Sequence, residues 1–135
     1  MPSILIDVNI EGHAAHIWRR LQSPAWLDIT RLADVSFFTF RDVGLDRESP
    51  DSSVWRFCQD RKFYLLTSNR NEDDESSLEA TIRRDGKPES LPVFTLPLPD
   101  RVYHLPDFLE RVVETLLDYL IYAENIRGTG RLYLP

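Results

Sequence analysis

Hydrophobic and polar positions along this chain follow two periods in alternation. Ser3-Ile4-Leu5-Ile6-Asp7-Val8 is a short apolar run that meets an acid near its end, the pattern of a strand buried on both faces. Asn9 is placed to cap a helix in which Ala14, Ile17, Trp18 and Leu21 form one stripe, and Pro24 closes that helix. Trp26 to Leu32 adds a short helical turn. Val35 to Phe40, β-branched and aromatic, predicts a second strand, and Arg41-Asp42-Val43-Gly44-Leu45 a loop in which Gly44 supplies a positive φ. Asp51 is expected to cap the next helix, with Val54, Phe57 and Cys58 on its apolar face. Phe63 to Thr67 predicts a third strand and Ser68 to Glu75 a polar loop. Ser76 and Glu79 match a capping box for a helix that runs to Arg84 and ends at Asp85-Gly86. Leu91 to Leu96 is a fourth strand, with Pro92 placing it at an edge or delaying its pairing. Asp107 is expected to cap a long last helix whose Phe108, Leu109, Val112, Val113, Leu116, Leu117, Leu120 and Ile121 make a broad apolar face. Residues 125–135, with Gly128 and Gly130, read as an irregular tail.

Strands that alternate with helices call for a mainly parallel sheet covered on both faces, here one α/β domain over residues 1–124. In such sheets the site lies outside the carboxyl ends of the strands. The residues that follow the strands are polar and acidic: Asp7 and Asn9, then Asp42, then Asn69, Asn71, Asp73 and Asp74.

Composition narrows the class. A chain of 135 residues with 42% hydrophobic residues and three tryptophans buries a core without disulfides. A single cysteine, Cys58, excludes an internal disulfide framework and suits a reducing compartment. The first residues lack the basic region of a signal peptide, and no apolar stretch approaches the ~18 residues of a membrane span. A cytoplasmic location without membrane attachment is the expectation. The net charge of -6 argues against holding nucleic acid by bulk electrostatics, though an acidic metal site contributes negative charge that cations offset.

If the first two strands are neighbours, Asp7 and Asp42 converge, and Asp51 joins them from the next helix. Clustered carboxylates repel one another, so a close group implies bound cations or raised pKa values. Oxygen ligands with open positions suit Mg2+ or Mn2+, which polarise a phosphodiester and activate water.

At these positions the chain resembles the PIN-like nucleases, the short bacterial proteins related to the VapC-type toxins. The resemblance rests on Leu5-Ile6-Asp7-Val8-Asn9, Arg41-Asp42-Val43-Gly44-Leu45, Asp51-Ser52-Ser53-Val54-Trp55 and Leu65-Leu66-Thr67-Ser68-Asn69-Arg70-Asn71, in that order. It covers about residues 3 to 96. It implies a three-layer α/β/α sandwich and Mg- or Mn-dependent cleavage of RNA, with Asp7, Asp42 and Asp51 as metal ligands or ligand orienters and Asn9 beside Asp7. It also implies a toxin-type component held by a protein partner or antitoxin. The chain departs from the family where a third-strand acid is expected: Asn69 and Asn71 stand there, and an amide brings neither charge nor a base. The loop that follows is long enough for Asp73 or Asp74 to return and restore the charge.

Each feature has a plainer reading beside the functional one. Asp7 and Asp51 can act as helix caps, and Asn69 and Asn71 as turn residues. The run Glu72-Asp73-Asp74-Glu75 can be a solvated loop. Arg41 and Arg70 flank the proposed site as phosphate ligands or as solvated cations. His13 and His16, three apart, form at most half a zinc site and read as surface residues, with His13 also placed to touch a phosphate. Cys58 reads as core.

The leading expectation is thus a metal-dependent endoribonuclease with Asp7, Asp42 and Asp51 as catalytic ligands and Asn9, Asn69, Asn71 or Asp74 completing the site. The alternative is a PIN-like domain without catalysis that acts as a binding module, and the wide apolar face of the last helix invites a homodimer. A receiver-like domain is a third reading. It wants a lysine near the end of a later strand, and the two lysines, Lys62 and Lys87, are not so placed.

Overall fold

A computed structural model describes residues 1–69 and 77–135. Five strands form one sheet: β1 Ser3–Ile6, β2 Ser36–Thr39, β3 Phe63–Thr67, β4 Val93–Thr95 and β5 Arg131–Tyr133. Among the described residues seven α-helices accompany them: α1 Glu11–Leu21, α2 Leu27–Ala33, α3 Phe40–Val43, α4 Asp51–Arg61, α5 Leu78–Asp85, α6 Arg101–His104 and α7 Pro106–Ile121. The strand order is β2-β1-β3-β4-β5 and every pairing is parallel.

Side-chain alternation distributes the core over both faces of the sheet. Ile4, Ile6, Tyr64, Leu66 and Phe94 pack with Ile17, Leu21, Val112, Leu116 and Leu120 of α1 and α7. Leu5, Leu65 and Val93 pack with Phe40, Val54, Trp55, Cys58 and Leu78 of α3, α4 and α5. Helices thus cover both faces, which is an α/β/α arrangement.

The chain steps from β1 to β2 on one side, then returns to place β3 on the other side of β1. This reversal is a topological switch point, and it opens a crevice at the carboxyl ends of β1 and β3. The two strands stay joined up to that crevice, where the Asp7 amide donates to the Leu66 carbonyl at 2.9 Å.

Several helix starts differ from expectation. Asn9 caps nothing: it lies in a 3-10 turn, Val8–Ile10, and α1 begins after Ile10 without a side-chain cap. Pro50, with its extended backbone, takes the cap position of α4, which leaves Asp51 as the first helical residue. Ser77 caps α5 by accepting from the Ala80 amide at 3.2 Å, and Ser76 lies outside the described residues. Leu105 precedes α7 and Pro106 fills its first position, so Asp107 sits within the first turn. The segment after β2 is α3 instead of a loop, and it closes on Gly44 at φ 77, the positive φ expected there.

The tail is not irregular. Residues 131–133 form β5, paired with β4 through Val93↔Arg131, Phe94↔Leu132 and Thr95↔Tyr133. A three-residue strand is too short to show period two, and Gly128 and Gly130, at φ 78 and 77, masked it as a turn.

The wide face of α7 is used within the chain. Phe108, Val112, Val113, Leu116, Leu117 and Leu120 are buried, Leu109 packs against the same core, and Ile121 is exposed. The breadth of that face therefore supplies no argument for a homodimer. No helix among the described residues is long and apolar enough to cross a membrane.

Candidate functional site

The crevice at the switch point is a small cavity of about 200 Å3, lined by Asp7, Asn9, Arg47, Ser49, Asp51 and Asn69 over a floor that includes Phe40, Val54, Leu65 and Leu78. Larger clefts of about 550 and 610 Å3 lie before the amino ends of β3, β4 and β5, lined in part by Lys62, Lys87 and Arg127. Their acids include Asp85, which is already paired with Arg56 and Arg84. Asp7 and Asp51 stand together at the smaller cavity.

Asp7 leaves the end of β1 half-buried. The Thr67 hydroxyl, at the end of β3, donates to its Oδ2 at 2.6 Å. The nearby main-chain amides of Val8 and Asn9 also favour its charged form. Burial nevertheless raises its pKa, with a smaller push from the Asp51 charge, against the lowering by Thr67 and the two amides. Asp51 enters from the start of α4, and its Oδ2 accepts from the Asn69 side-chain amide at 2.9 Å. The Asn69 main-chain amide donates in turn to Thr67 Oγ1 at 2.9 Å. Thr67 and Asn69 thus hold the two acids from the end of β3. Neither acid pairs with a lysine or arginine among the described residues. Arg47, on the cavity rim, is paired with Glu11 at 2.7 Å.

Asp42 is not part of this cavity. Because the chain turns directly from β2 into α3, Asp42 completes a capping box: the Thr39 amide donates to its Oδ2 at 2.9 Å, and the Asp42 amide donates to Thr39 Oγ1 at 3.2 Å. The first of these bonds holds its carboxyl below the usual aspartate range. The expected convergence of Asp7 with Asp42 is replaced by that of Asp7 with Asp51. Arg41, beside it, is exposed and does not line the cavity either.

His13 also lies elsewhere. Its Nε2 is 2.7 Å from Asp100 Oδ1, and its ring rests 4.8 Å from that of Tyr103. His16 meets the same tyrosine edge-on at 5.2 Å, so both histidines pack against α6 and are half-buried. Arg70, Asn71, Asp73 and Asp74 lie outside the described residues. Cys58 is buried, and burial together with the Asp7 charge pushes its thiol up to about 12, which disfavours the thiolate that a nucleophile needs and agrees with its place in the core.

Sequence reading missed Thr67, Ser49, Arg47 and Arg131. Thr67 is visible in the sequence as the single β-branched residue of its strand and as part of the motif around Asn69, with no role of its own. Arg131 belongs to the strand hidden in the tail, and from there it donates to the Asn69 carbonyl at 2.8 Å.

The cavity lining holds two carboxylates, the side-chain amides of Asn9 and Asn69 and the Ser49 hydroxyl, residue types whose oxygens are able to bind Mg2+ or Mn2+. No group of three or more histidine, cysteine, aspartate or glutamate side chains able to hold a metal occurs among the described residues. Comparison with protein-family models, curated protein sequences and solved structures returned no match. The strand order is that of flavodoxin-type and receiver domains. A receiver's lysine is missing, however, since Lys62 precedes β3 and Lys87 precedes β4, at the wrong ends of those strands.

Proposed function

We propose that this chain is a metal-dependent phosphodiesterase of the PIN-like kind, an endoribonuclease in which Asp7 and Asp51 are the metal ligands. One observation carries the reading: a half-buried carboxylate with a raised pKa shares a cavity at the switch point with a second carboxylate, and among the described residues no lysine or arginine pairs with either. A divalent ion bound there would offset both charges and supply Lewis-acid activation of water. The chain's own residues prepare for it. Thr67 fixes one oxygen of Asp7 and Asn69 fixes one oxygen of Asp51, which leaves one oxygen of each without a side-chain donor. Asn9 and Asn69 line the same cavity with side-chain amides, and Arg47, also in its lining, would be available to a phosphate oxygen on release from Glu11. Asp42 has no ligand role in this scheme. A toxin-type pairing with a protein partner belongs to the same proposal.

The second reading is a binding module without catalysis. Asn69 supports it, because it gives Asp51 a hydrogen bond where a third carboxylate would bring charge. Mn2+-supported cleavage of single-stranded RNA separates the two. A nuclease loses cleavage in Asp51→Asn and keeps it in Asp42→Asn. A wild-type protein that binds RNA or a protein partner but never cleaves is the module.

A further inference from the structure

The guanidinium of Arg131 ties the rim of the sheet together. From β5, its Nη1 donates to the Asn69 carbonyl at 2.8 Å and to Thr95 Oγ1, at the end of β4, at 2.6 Å. Its Nε donates to Glu79 Oε2 of α5 at 3.0 Å. Nη2 lies 2.9 Å from the same oxygen but off the line of a hydrogen bond. The side chain is only 7% exposed, a costly place for a charge unless its partners are well placed.

Asn69 is the consequential partner. Its main-chain amide holds Thr67, which holds Asp7, and its side-chain amide holds Asp51 directly. Whatever fixes the Asn69 backbone therefore sets both acids. Arg131 does this while also gripping Glu79, so one guanidinium holds residues on both sides of the segment 70–76.

We propose that Arg131 is a positioning residue for the Asp7–Asp51 site, aiming Asn69 at the two acids from a strand that contributes no atom to the cavity. Lysine cannot do this, because one ammonium cannot present a planar fork to Glu79, Thr95 and Asn69 together. The functional part of the inference rests on the metal-site reading; the geometric part does not.

The test compares wild type, Arg131→Lys, Glu79→Gln and Thr95→Val at a temperature where all are folded. NMR reads the Asn69 side-chain amide protons without metal, and Mn2+ titration reads the site. Positioning predicts that Arg131→Lys shifts those protons and speeds their exchange. Mn2+ affinity then falls by about ten-fold, the usual size for losing an outer-sphere partner. Glu79→Gln acts in the same direction, and Thr95→Val, which spares the bond to Asn69, leaves both readouts near wild type. If Arg131→Lys does not fold, Glu79→Gln carries the test. A lower melting temperature with unchanged Asn69 signals and unchanged Mn2+ affinity would overturn positioning and leave a purely structural ion pair. Moved Asn69 signals in a protein that never binds Mn2+ would uphold positioning and overturn the metal reading instead.

Discussion

Asn69 donates its side-chain amide to Asp51 at 2.9 Å, so the third polar position of the site offers a proton where a third acid would offer charge. Asn69→Asp replaces that bond with repulsion between carboxylates. Without metal, near neutral pH, the variant is expected to lose about 1–3 kcal/mol of stability. Mn2+ should restore it and bind about ten-fold more tightly than to wild type. Thermal melts with and without Mn2+ check both. A melting temperature indifferent to Mn2+ in both proteins would favour the binding module.

Asp7 should make metal-free stability depend on pH in an unusual direction. Its folded pKa is raised, mainly by burial, so the folded state holds the proton more tightly than the unfolded state. Stability is then highest below the ordinary aspartate value and falls as pH rises through the raised one. Asp7→Asn, which keeps an acceptor for Thr67, should raise the melting temperature near neutral pH by a few degrees and leave it unchanged in acid. Melting temperature against pH for the two proteins is the measurement. An equal offset at every pH would contradict the assignment.

Asp42 is expected to matter for α3 and not for metal. Thr39→Ala removes the cap and should cost about 1 kcal/mol. Asp42→Asn loses the contribution of a carboxylate whose pKa is lowered by the Thr39 amide, a contribution present above the ordinary aspartate value and lost as pH falls through the lowered one. Mn2+ affinity should stay at the wild-type value in both variants. A marked loss in Asp42→Asn would return that residue to the site.

Leu116 is fully buried between α7 and the sheet. Leu116→Ala should cost about 2–5 kcal/mol, the range for emptying a core leucine site. Leu116→Asp should unfold the chain. Circular dichroism and size-exclusion chromatography decide the matter, since a folded, soluble Leu116→Asp protein would mark the residue as interface.

The parallel sheet and its helices were readable because the apolar positions keep a clear period, a continuous run in Ile4-Leu5-Ile6 and a helical stripe from Phe108 to Leu120. The strand-end rule named Asp7, Asn9 and Asn69, and Asp51 joins them from the start of the next helix; the same rule named Asp42, which stands elsewhere, as do Arg41 and His13, expected as phosphate contacts. Where Asp42 points depends on whether the chain after β2 runs as a loop or turns at once into a helix, and Thr39 decides that through a capping box with Asp42, whose three-residue spacing is local but sits where the pattern reads as a strand running into a loop. Arg131 was unreadable for a different reason. Its role comes from pairing between β4 and β5 and from contacts with residues 36, 52 and 62 positions away, which no local pattern encodes.

Mn2+ binding by calorimetry at low salt, in wild type and in folded Asp7→Asn, tests the central claim most directly because it requires no substrate. The account predicts binding to wild type that Asp7→Asn loses while its fold persists. No binding by wild type at millimolar Mn2+, or equal binding by the two proteins, would contradict it.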